Sequence, residues 1–153
     1  MKQFEFRLQK VMETTKTRER LKQRELAKAL VVLTQNESLL EAMLDRLAEQ
    51  IEEYNARKLR TSMTASDLMN FSHYTEKLLV DIQHQKKTIE DLVEKVRQHR
   101  EKLIEITKDK KILERLKEKR YEEYRKKLRK MEQKFSDELS VQTYQNGKNE
   151  NIH

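Results

Sequence analysis

The sequence predicts an all-α fold of two long helices in an antiparallel coiled-coil hairpin, with the second helix longer than the first. Three observations lead to this prediction. The chain has one glycine and no proline, although globular β and α/β domains need both in their turns. Of its 153 residues, 40% are charged and 35% are hydrophobic, enough for a narrow seam between helices but not for a broad core. Apolar residues recur at helical spacing along most of the chain, which argues against disorder.

The first predicted helix spans residues 4–59. Its seam advances in alternating steps of three and four residues, as is typical of a coiled coil: Leu26, Ala29, Leu33, Asn36, Leu40, Met43, Leu47, Gln50 and Tyr54. Beside this seam, and expected to widen it, lie Leu30, Leu44 and Ile51. Residues 14–20 contain no apolar side chain, so a separate short patch is predicted before them, formed by Leu8, Val11 and Met12.

Residues 60–66 interrupt the helical pattern and are the predicted bend. The stretch is rich in Ser and Thr, which are weak helix formers and favoured N-caps. Thr64 precedes Asp67 by three residues, the spacing of a capping box at the start of a second helix. A short break between long helices favours a hairpin, because a tight return buries both apolar stripes. The alternative is a kink within one continuous helix.

The second predicted helix spans residues 65–143, so that residues 1–144 form a single hairpin, and residues 145–153 are a predicted disordered tail. The seam of this helix is Leu68, Phe71, Thr75, Leu78, Ile82, Gln85, Ile89, Leu92, Val96, His99, Leu103 and Ile106. The stripe then continues with interruptions through Leu113, Leu116, Tyr124, Leu128, Met131, Phe135 and Leu139. In a hairpin folded at Thr64, the numbers of facing residues sum to roughly 126, so everything after about Lys119 is expected to overhang without an intramolecular partner.

The charges are segregated along the chain, whose net charge is +7. Residues 7–28 contain eight Lys/Arg and three Asp/Glu. Residues 29–94 contain seven Lys/Arg and twelve Asp/Glu, and residues 95–134 contain seventeen Lys/Arg and eight Asp/Glu. A hairpin would bring the two basic blocks together and leave the bend acidic. A basic surface attracts acidic proteins, nucleic acid or anionic lipid, although the charges could equally serve only as solvated helix surface.

Several classes of function are not expected. One glycine cannot build a phosphate-binding loop, and three of the four histidines, His73, His84 and His99, lack the i,i+4 spacing of a helical metal site. We therefore expect no enzyme, no cofactor, no metal and no small-molecule substrate. The absence of cysteine fits a reducing compartment. With no secretory or membrane-spanning segment, the expected location is the cytoplasm.

Three stretches of the sequence resemble the FliJ family of flagellar export proteins, in the family's order. They are FEFRLQKVMETTKTRERLKQRELAKAL at 4–30, LRTSMTASDLMNFSHYTEKLLVDIQHQ at 59–85 and LERLKEKRYEEYRKKLRKMEQKFSDE at 113–138. The resemblance spans residues 4–144. It implies a two-helix antiparallel coiled coil similar to the central stalk subunit of rotary ATPases. It also implies a cytoplasmic component of the flagellar type III export apparatus, peripherally associated with its membrane-embedded part.

The partners implied by the resemblance are the ring of the export ATPase FliI, the cytoplasmic domain of the export gate protein FlhA, and export chaperones. The ATPase is expected to bind the basic end, through an apolar stripe flanked by cations: Tyr121, Tyr124, Arg125, Lys126, Leu128, Arg129, Lys130, Met131 and Phe135. The gate protein is expected to bind near the bend, where the resemblance points to Met43, Leu47, Gln50, Tyr54, Tyr74, Leu78, Asp81 and Gln85.

Alternatives remain open at this point. Among the gate-binding candidates, Leu47, Tyr54 and Leu78 could simply pack the seam, whereas Tyr74 is expected to face outward. Asp81 stands where the family usually has a small apolar residue. The whole chain could be a generic structural or adaptor coiled coil. A nucleic-acid-binding helix is a further alternative, because Tyr121 and Tyr124 lie among cations, but no recognition motif supports it.

Overall fold

Two helices account for nearly all of the described chain. The computed structural model describes residues 2–60 and 62–150, the last two of them by their backbone alone. Helix α1 spans Gln9–Arg60, 52 residues, and helix α2 spans Ala65–Glu150, 86 residues. No strand occurs among the described residues. The predicted all-α hairpin, with its longer second helix, is confirmed.

The bend contains the predicted capping box. The backbone amide of Thr64 donates to Oδ2 of Asp67 over 3.2 Å, and the amide of Asp67 donates to Oγ1 of Thr64 over 3.1 Å. These reciprocal bonds satisfy amide groups that have no partner within the first turn of α2. The Thr64 hydroxyl, followed by the Thr64 amide, lowers the pKa of the Asp67 carboxyl group below its ordinary value. Of the predicted bend, Thr61 lies outside the described residues.

Helix α1 begins five residues later than predicted. Residues 2–6 are not helical, and the helix opens with bonds from the amide of Gln9 to the Phe6 carbonyl and from the amide of Met12 to the Leu8 carbonyl. The residues before the helix contact α2 instead, since the Tyr124 hydroxyl donates to the Lys2 carbonyl.

Helix α2 ends later than predicted. The sequence indicated an end at residue 143, but the helix continues to Glu150 and includes residues 145–150 of the predicted tail. Gly147 does not adopt a positive φ, so it does not form the left-handed cap that commonly ends a helix. The chain also contains no proline that would stop the helix. The remaining predicted tail, residues 151–153, lies outside the described residues.

The chain divides into two compact units. We call Glu19–Glu105 the bend unit, and Met1–Arg18 together with Ile106–His153 the terminal unit. In the bend unit the Tyr54 ring stacks on Phe71 with centroids 4.1 Å apart. Further from the bend, Gln85 reaches Asn36 and His99 lies near Glu25. Residue numbers therefore rise on one helix as they fall on the other, as an antiparallel pair requires.

The seam of the bend unit follows the predicted periodicity. All nine predicted seam residues of α1 are half-buried. On α2, Leu78, Ile82 and Val96 are buried, whereas Leu68 at the helix start is exposed. Leu44 and Ile51 remain 43% exposed, so the prediction that they widen the seam is wrong for these two residues. A two-stranded coiled coil buries one narrow stripe per helix and leaves its flanks open to water.

Polar residues occupy part of the seam. Nε2 of Gln85 donates to the backbone carbonyl of Asn36 over 2.9 Å and to its Oδ1 over 3.0 Å, which satisfies the Gln85 amide between the helices. Before residue 26, Glu19 is buried, and Thr15 and Lys16 are half-buried. The predicted short patch is correspondingly incomplete, because only Met12 of its three members is buried.

Candidate protein-binding surfaces

An aromatic cluster joins the two ends of the chain in the terminal unit. The Phe4 ring lies edge-on to Tyr121, with centroids 5.2 Å apart, and 5.6 Å from the ring of Tyr124. The Tyr124 hydroxyl donates to the backbone carbonyl of Lys2 over 3.1 Å. The stripe of α2 is therefore covered as far as Tyr124, which corrects the expectation that it lacks a partner from Lys119 onward. The covering element is the non-helical N-terminal segment rather than a helix.

A groove of about 600 Å³ lies between this N-terminal segment and α2. Its lining includes apolar side chains from both, Phe4, Phe6, Leu8, Leu116 and Tyr124, with the cations Arg7, Arg120 and Lys127 among its polar residues. Nearby, Nζ of Lys117 donates to Oε1 of Gln9 over 2.9 Å. The terminal unit thus presents a partly apolar depression beside cations.

Beyond Leu128, α2 has no cover among the described residues. We call residues 131–148 the bare stretch, because every side chain in it is exposed. Met131 is 51% and Phe135 64% exposed, and Leu139 continues the same face one turn later. Isolated helices are marginal in water, so an uncovered apolar face of this length favours binding to another protein.

The positive charge is concentrated in the terminal unit. This unit contains 19 Lys/Arg and 11 Asp/Glu, a net charge of +8, whereas the bend unit contains 15 and 16, a net charge of −1. The four cations proposed from the sequence for ATPase binding are all exposed: Arg125, Lys126, Arg129 and Lys130. The bare stretch thus directly follows a dense run of exposed cations.

The gate-binding candidates of the bend unit separate into two groups. Most are seam residues, because they are buried or half-buried between α1 and α2: Met43, Leu47, Gln50, Tyr54, Leu78 and Gln85. Only Tyr74, which is 40% exposed, and Asp81 face solvent. Of the eight candidates, Tyr74 and Asp81 are therefore the two most accessible to a partner.

The comparison with protein families decides the identity of this two-helix chain. A family model described as the flagellar FliJ protein matches residues 4–149. The chain belongs to the FliJ family. Comparisons with curated proteins and with solved structures find no significant match. Membership makes this protein a component of flagellar protein export, and the match includes both Phe4 and the bare stretch.

A polar cluster, which the sequence interpretation missed, lies in the bend unit of this FliJ-family chain. Nζ of Lys22 donates to Oε2 of Glu25 over 2.9 Å, and Nδ1 of His99 lies 3.8 Å from the same oxygen. The hydrogen bond from Lys22 lowers the pKa of the Glu25 carboxyl group below its ordinary value. The i,i+3 spacing of Lys22 and Glu25 was a signal for the pair. The contact with His99 had no local signal, since it joins the two helices.

The described residues include no group of three or more His, Cys, Asp or Glu placed to hold a metal ion. Within the same residues, neither α1 nor α2 contains a stretch apolar enough to span a bilayer.

Proposed function

We propose that this protein is a stalk-like coiled coil that links the export ATPase ring to the export gate and assists the hand-over of export chaperones. It acts in the cytoplasm, peripherally associated with the membrane-embedded apparatus. The terminal unit binds the ATPase ring, and the bend unit binds the cytoplasmic domain of the gate protein. The observation that carries the proposal is the bare stretch, an uncovered apolar face beside a dense cation run in a FliJ-family chain.

Affinity for the ring comes from the apolar face. Met131 and Phe135 are more than half exposed, and burying such side chains contributes about 25 cal/mol per Å² of apolar surface. The neighbouring cations, including Arg125 and Arg129, speed the encounter with an acidic surface. The two groups therefore have separable roles: the apolar side chains determine the dissociation rate, and the cations raise the association rate.

The aromatic cluster changes which residues are available to the ring. Tyr124 is half-buried and donates a hydrogen bond to Lys2, and Phe4 covers part of both tyrosines. We assign Tyr121 and Tyr124 to holding the N-terminal segment on α2, next to the binding face. Leu128, Met131 and Phe135 remain as the apolar residues that contact the ATPase.

A truncation tests the ATPase-binding role. A chain that ends after Lys130 keeps the contacts of Phe4 with Tyr121 and Tyr124, whereas one that ends after Glu118 removes them. The Lys130 truncation is expected to keep the helicity of the remaining chain and to lose stimulation of the export ATPase, measured as phosphate release and ring assembly. Full stimulation by this truncated chain would exclude the bare stretch from ring binding. If the intact chain itself gives no stimulation, the generic adaptor function is favoured instead.

A matched pair of variants separates the apolar face from the helix as a whole. Phe135→Ser with Leu139→Ser removes two side chains of the face and is expected to weaken ATPase binding at least about tenfold. Val141→Ser is the control, because Val141 is 56% exposed but lies on a different side of the helix. An equal loss from both variants would assign the effect to helix propensity.

The cations have their own test. Reversing charge at Arg125, Lys126, Arg129 and Lys130 is expected to slow association with the ATPase, most strongly at low salt, because screening weakens long-range attraction. Association rates measured at two ionic strengths check this. A rate loss that is the same at both would contradict an electrostatic role.

The gate-binding role depends on the two exposed candidates. Tyr74→Ala is expected to weaken binding to the cytoplasmic domain of the gate protein while leaving the melting temperature nearly unchanged. Leu78→Ala is the comparison, since this buried residue should lower the melting temperature. If Tyr74→Ala lowers both quantities together, Tyr74 stabilises the fold and the gate-binding role of this residue is wrong.

A further inference from the structure

The bend unit has a second apolar surface outside its seam. We call it the apolar flank, and it comprises Leu30, Leu44 and Ile51 of α1 with Leu79 and Val93 of α2. Each of these residues directly follows a seam residue, and each recurs seven or fourteen positions from the next on its helix. Leu30 is half-buried, and the other four are 43–49% exposed.

The two helices contribute to the same flank because they are antiparallel. Along a helix, each side chain is rotated about the helix axis by about 100° from the preceding one. In two antiparallel helices that face each other, the residues that directly follow seam residues therefore lie on the same side of the pair. The stacking of Tyr54 on Phe71 fixes the register in the bend unit. In this register Leu44 lies level with Leu79, and Leu30 lies level with Val93.

The opposite flank has a different character. Its exposed apolar residues on α1, Val32 and Leu39, lie level with the polar residues Lys95 and Thr88 of α2. Tyr74 belongs to this opposite flank, since it precedes a seam residue instead of following one. The apolar flank is therefore distinct from the surface assigned to the gate protein.

One charged pair interrupts the apolar flank. Glu37 and Lys86 directly follow Asn36 and Gln85, which are hydrogen-bonded to each other, and both are exposed. They lie between the Leu30–Val93 level and the Leu44–Leu79 level. Within the described residues neither forms an ion pair with the rest of the chain. The flank thus carries one negative charge on α1 and one positive charge on α2 at the same level.

We propose that a second copy of this chain binds the apolar flank, related to the first by a twofold axis parallel to the helices of the bend unit. This axis places α1 of each copy on α2 of the other. Leu30 then meets Val93 of the second copy, Leu44 meets Leu79, and Glu37 meets Lys86. Apart from Ile51, which meets Ser72 of the second copy, the flank is complementary to itself both in apolar residues and in charge, as an isologous interface requires.

A twofold axis perpendicular to the helices gives a worse match. It places α1 on α1 and brings Glu37 against Glu37 of the second copy, which is repulsive. Ala27 and Ala48 lie one turn from residues of the flank on α1, and their small side chains let another helix approach closely. The charge pattern selects the arrangement with both bends at the same end of the dimer.

The expected dimer is weak. The flank extends over residues 30–51 of α1, about 30 Å of helix, and two helices side by side are about 20 Å wide. The resulting interface buries about 1,200 Å² over both copies, at the lower limit for specific complexes. Dissociation constants in the micromolar range are therefore expected, and the intact chain should be monomeric below about 1 μM.

Sedimentation equilibrium of the intact chain from about 1 to 300 μM tests the proposal. The unmodified chain is expected to form dimers at the upper end, and Leu44→Glu with Leu79→Glu should weaken association at least about tenfold. Val32→Glu with Leu39→Glu on the opposite flank is the matched control and should leave association unchanged. Circular dichroism shows that each variant keeps its helicity. A monomer at 300 μM, or equal loss in both double variants, would overturn the proposal.

The direction of the axis has a separate test. Glu37→Lys alone and Lys86→Glu alone should each weaken association, and the combined swap should restore it. Because the chain has no cysteine, a single spin label at Lys58→Cys is unique. The parallel axis predicts labels roughly 20–30 Å apart in the dimer, and the perpendicular axis predicts roughly 60 Å. A distance near 60 Å, or a swap that fails to restore association, would overturn the arrangement.

Discussion

Helix α2 contains two amphipathic stretches that differ in what covers them. In the bend unit, Leu78 and Ile82 face α1 and are 7% and 3% exposed. In the terminal unit, Met131 and Phe135 have similar spacing, yet more than half of each side chain is exposed. Periodicity therefore indicates a face that can be buried, while the element that covers this face belongs to another part of the chain or to another protein.

The N-terminal segment lies between these two cases. Residues 2–6 are not helical, but the Phe4 ring contacts Tyr121 and Tyr124. This segment therefore covers a part of α2 that helix α1, which begins at Gln9, does not cover. An aromatic side chain buries a large area with few rotatable bonds, so a short extended segment can protect one turn of a helix. Cover for the apolar stripe thus ends in the terminal unit near Leu128, which is half-buried.

Hydrogen exchange gives the largest contrast between the two stretches. Backbone amides near Ile82 open only when the two helices separate, whereas those of the bare stretch open by fraying of a single helix. We expect protection to differ by about three orders of magnitude, equivalent to about 4 kcal/mol. Mass-spectrometric exchange on peptic fragments measures this. Similar protection in both stretches of the free monomer would contradict the assignment of the bare stretch as uncovered.

Two alanine substitutions compare the stretches directly. Ile82→Ala deletes buried methyl groups and leaves a cavity, so it should lower the free energy of unfolding by about 3 kcal/mol. Phe135→Ala removes an exposed side chain and should change it by less than about 0.5 kcal/mol. Urea unfolding followed by helical ellipticity checks both variants. A loss of more than 1 kcal/mol in Phe135→Ala would show that residue 135 is covered in the free chain.

Removing the Phe4 ring from the aromatic cluster should have an effect on stability of intermediate size. Phe4→Ala deletes the ring that contacts Tyr121 and Tyr124, and we expect a local loss of about 1–2 kcal/mol. This corresponds to about five- to thirtyfold faster amide exchange around residue 121, with exchange near Ile82 unchanged. Phe135→Ala is the control and should leave exchange around residue 121 as it is. Unchanged exchange in Phe4→Ala would contradict a protective role for the N-terminal segment.

The smallest effect is expected at the start of α2. Thr64→Ala removes the capping hydroxyl and should cost about 1 kcal/mol, while Ser62→Ala, which changes an exposed hydroxyl two residues earlier, should be neutral. The pKa of Asp67 is lower in the folded chain than in the unfolded chain, so its contribution is fully present above the ordinary pKa of an Asp carboxyl group and is lost as the pH falls through the lower pKa of the folded chain. Asp67→Asn should abolish this part of the acid dependence. An unchanged acid profile in Asp67→Asn would mean that other carboxyl groups account for all of it.

Local patterns explain which features the sequence predicted. The capping box needs only two residues three positions apart, and the seam from Leu26 to Tyr54 needs only heptad spacing, so both followed from neighbouring residues. The Phe4–Tyr121 contact joins residues more than one hundred positions apart and had no local signal. The burial of Glu19 did have a local signal, since it lies seven residues from both Met12 and Leu26 and a helix places every seventh residue on about the same face whatever its polarity.

The candidate binding residues were predictable to a smaller extent. Spacing did separate Tyr74 from Leu78, because Tyr74 precedes the seam residue Thr75 and is exposed as expected, whereas Leu78 lies in the seam and is buried. The exposure of Leu44, in contrast, depends on the width of the seam, and a single helix pattern does not set that width. The apolar flank became visible only when the register of the two helices was known.

The bare stretch also bears on the lifetime of the protein. Proteases cleave segments that open easily, and Lys134 lies within the bare stretch, which has no neighbour among the described residues. Proteases should therefore cleave an unbound molecule first at this basic residue, whereas a molecule bound to a partner should be protected there. The amount of uncleaved chain would then report how many copies are engaged in export, and unassembled copies would be removed first.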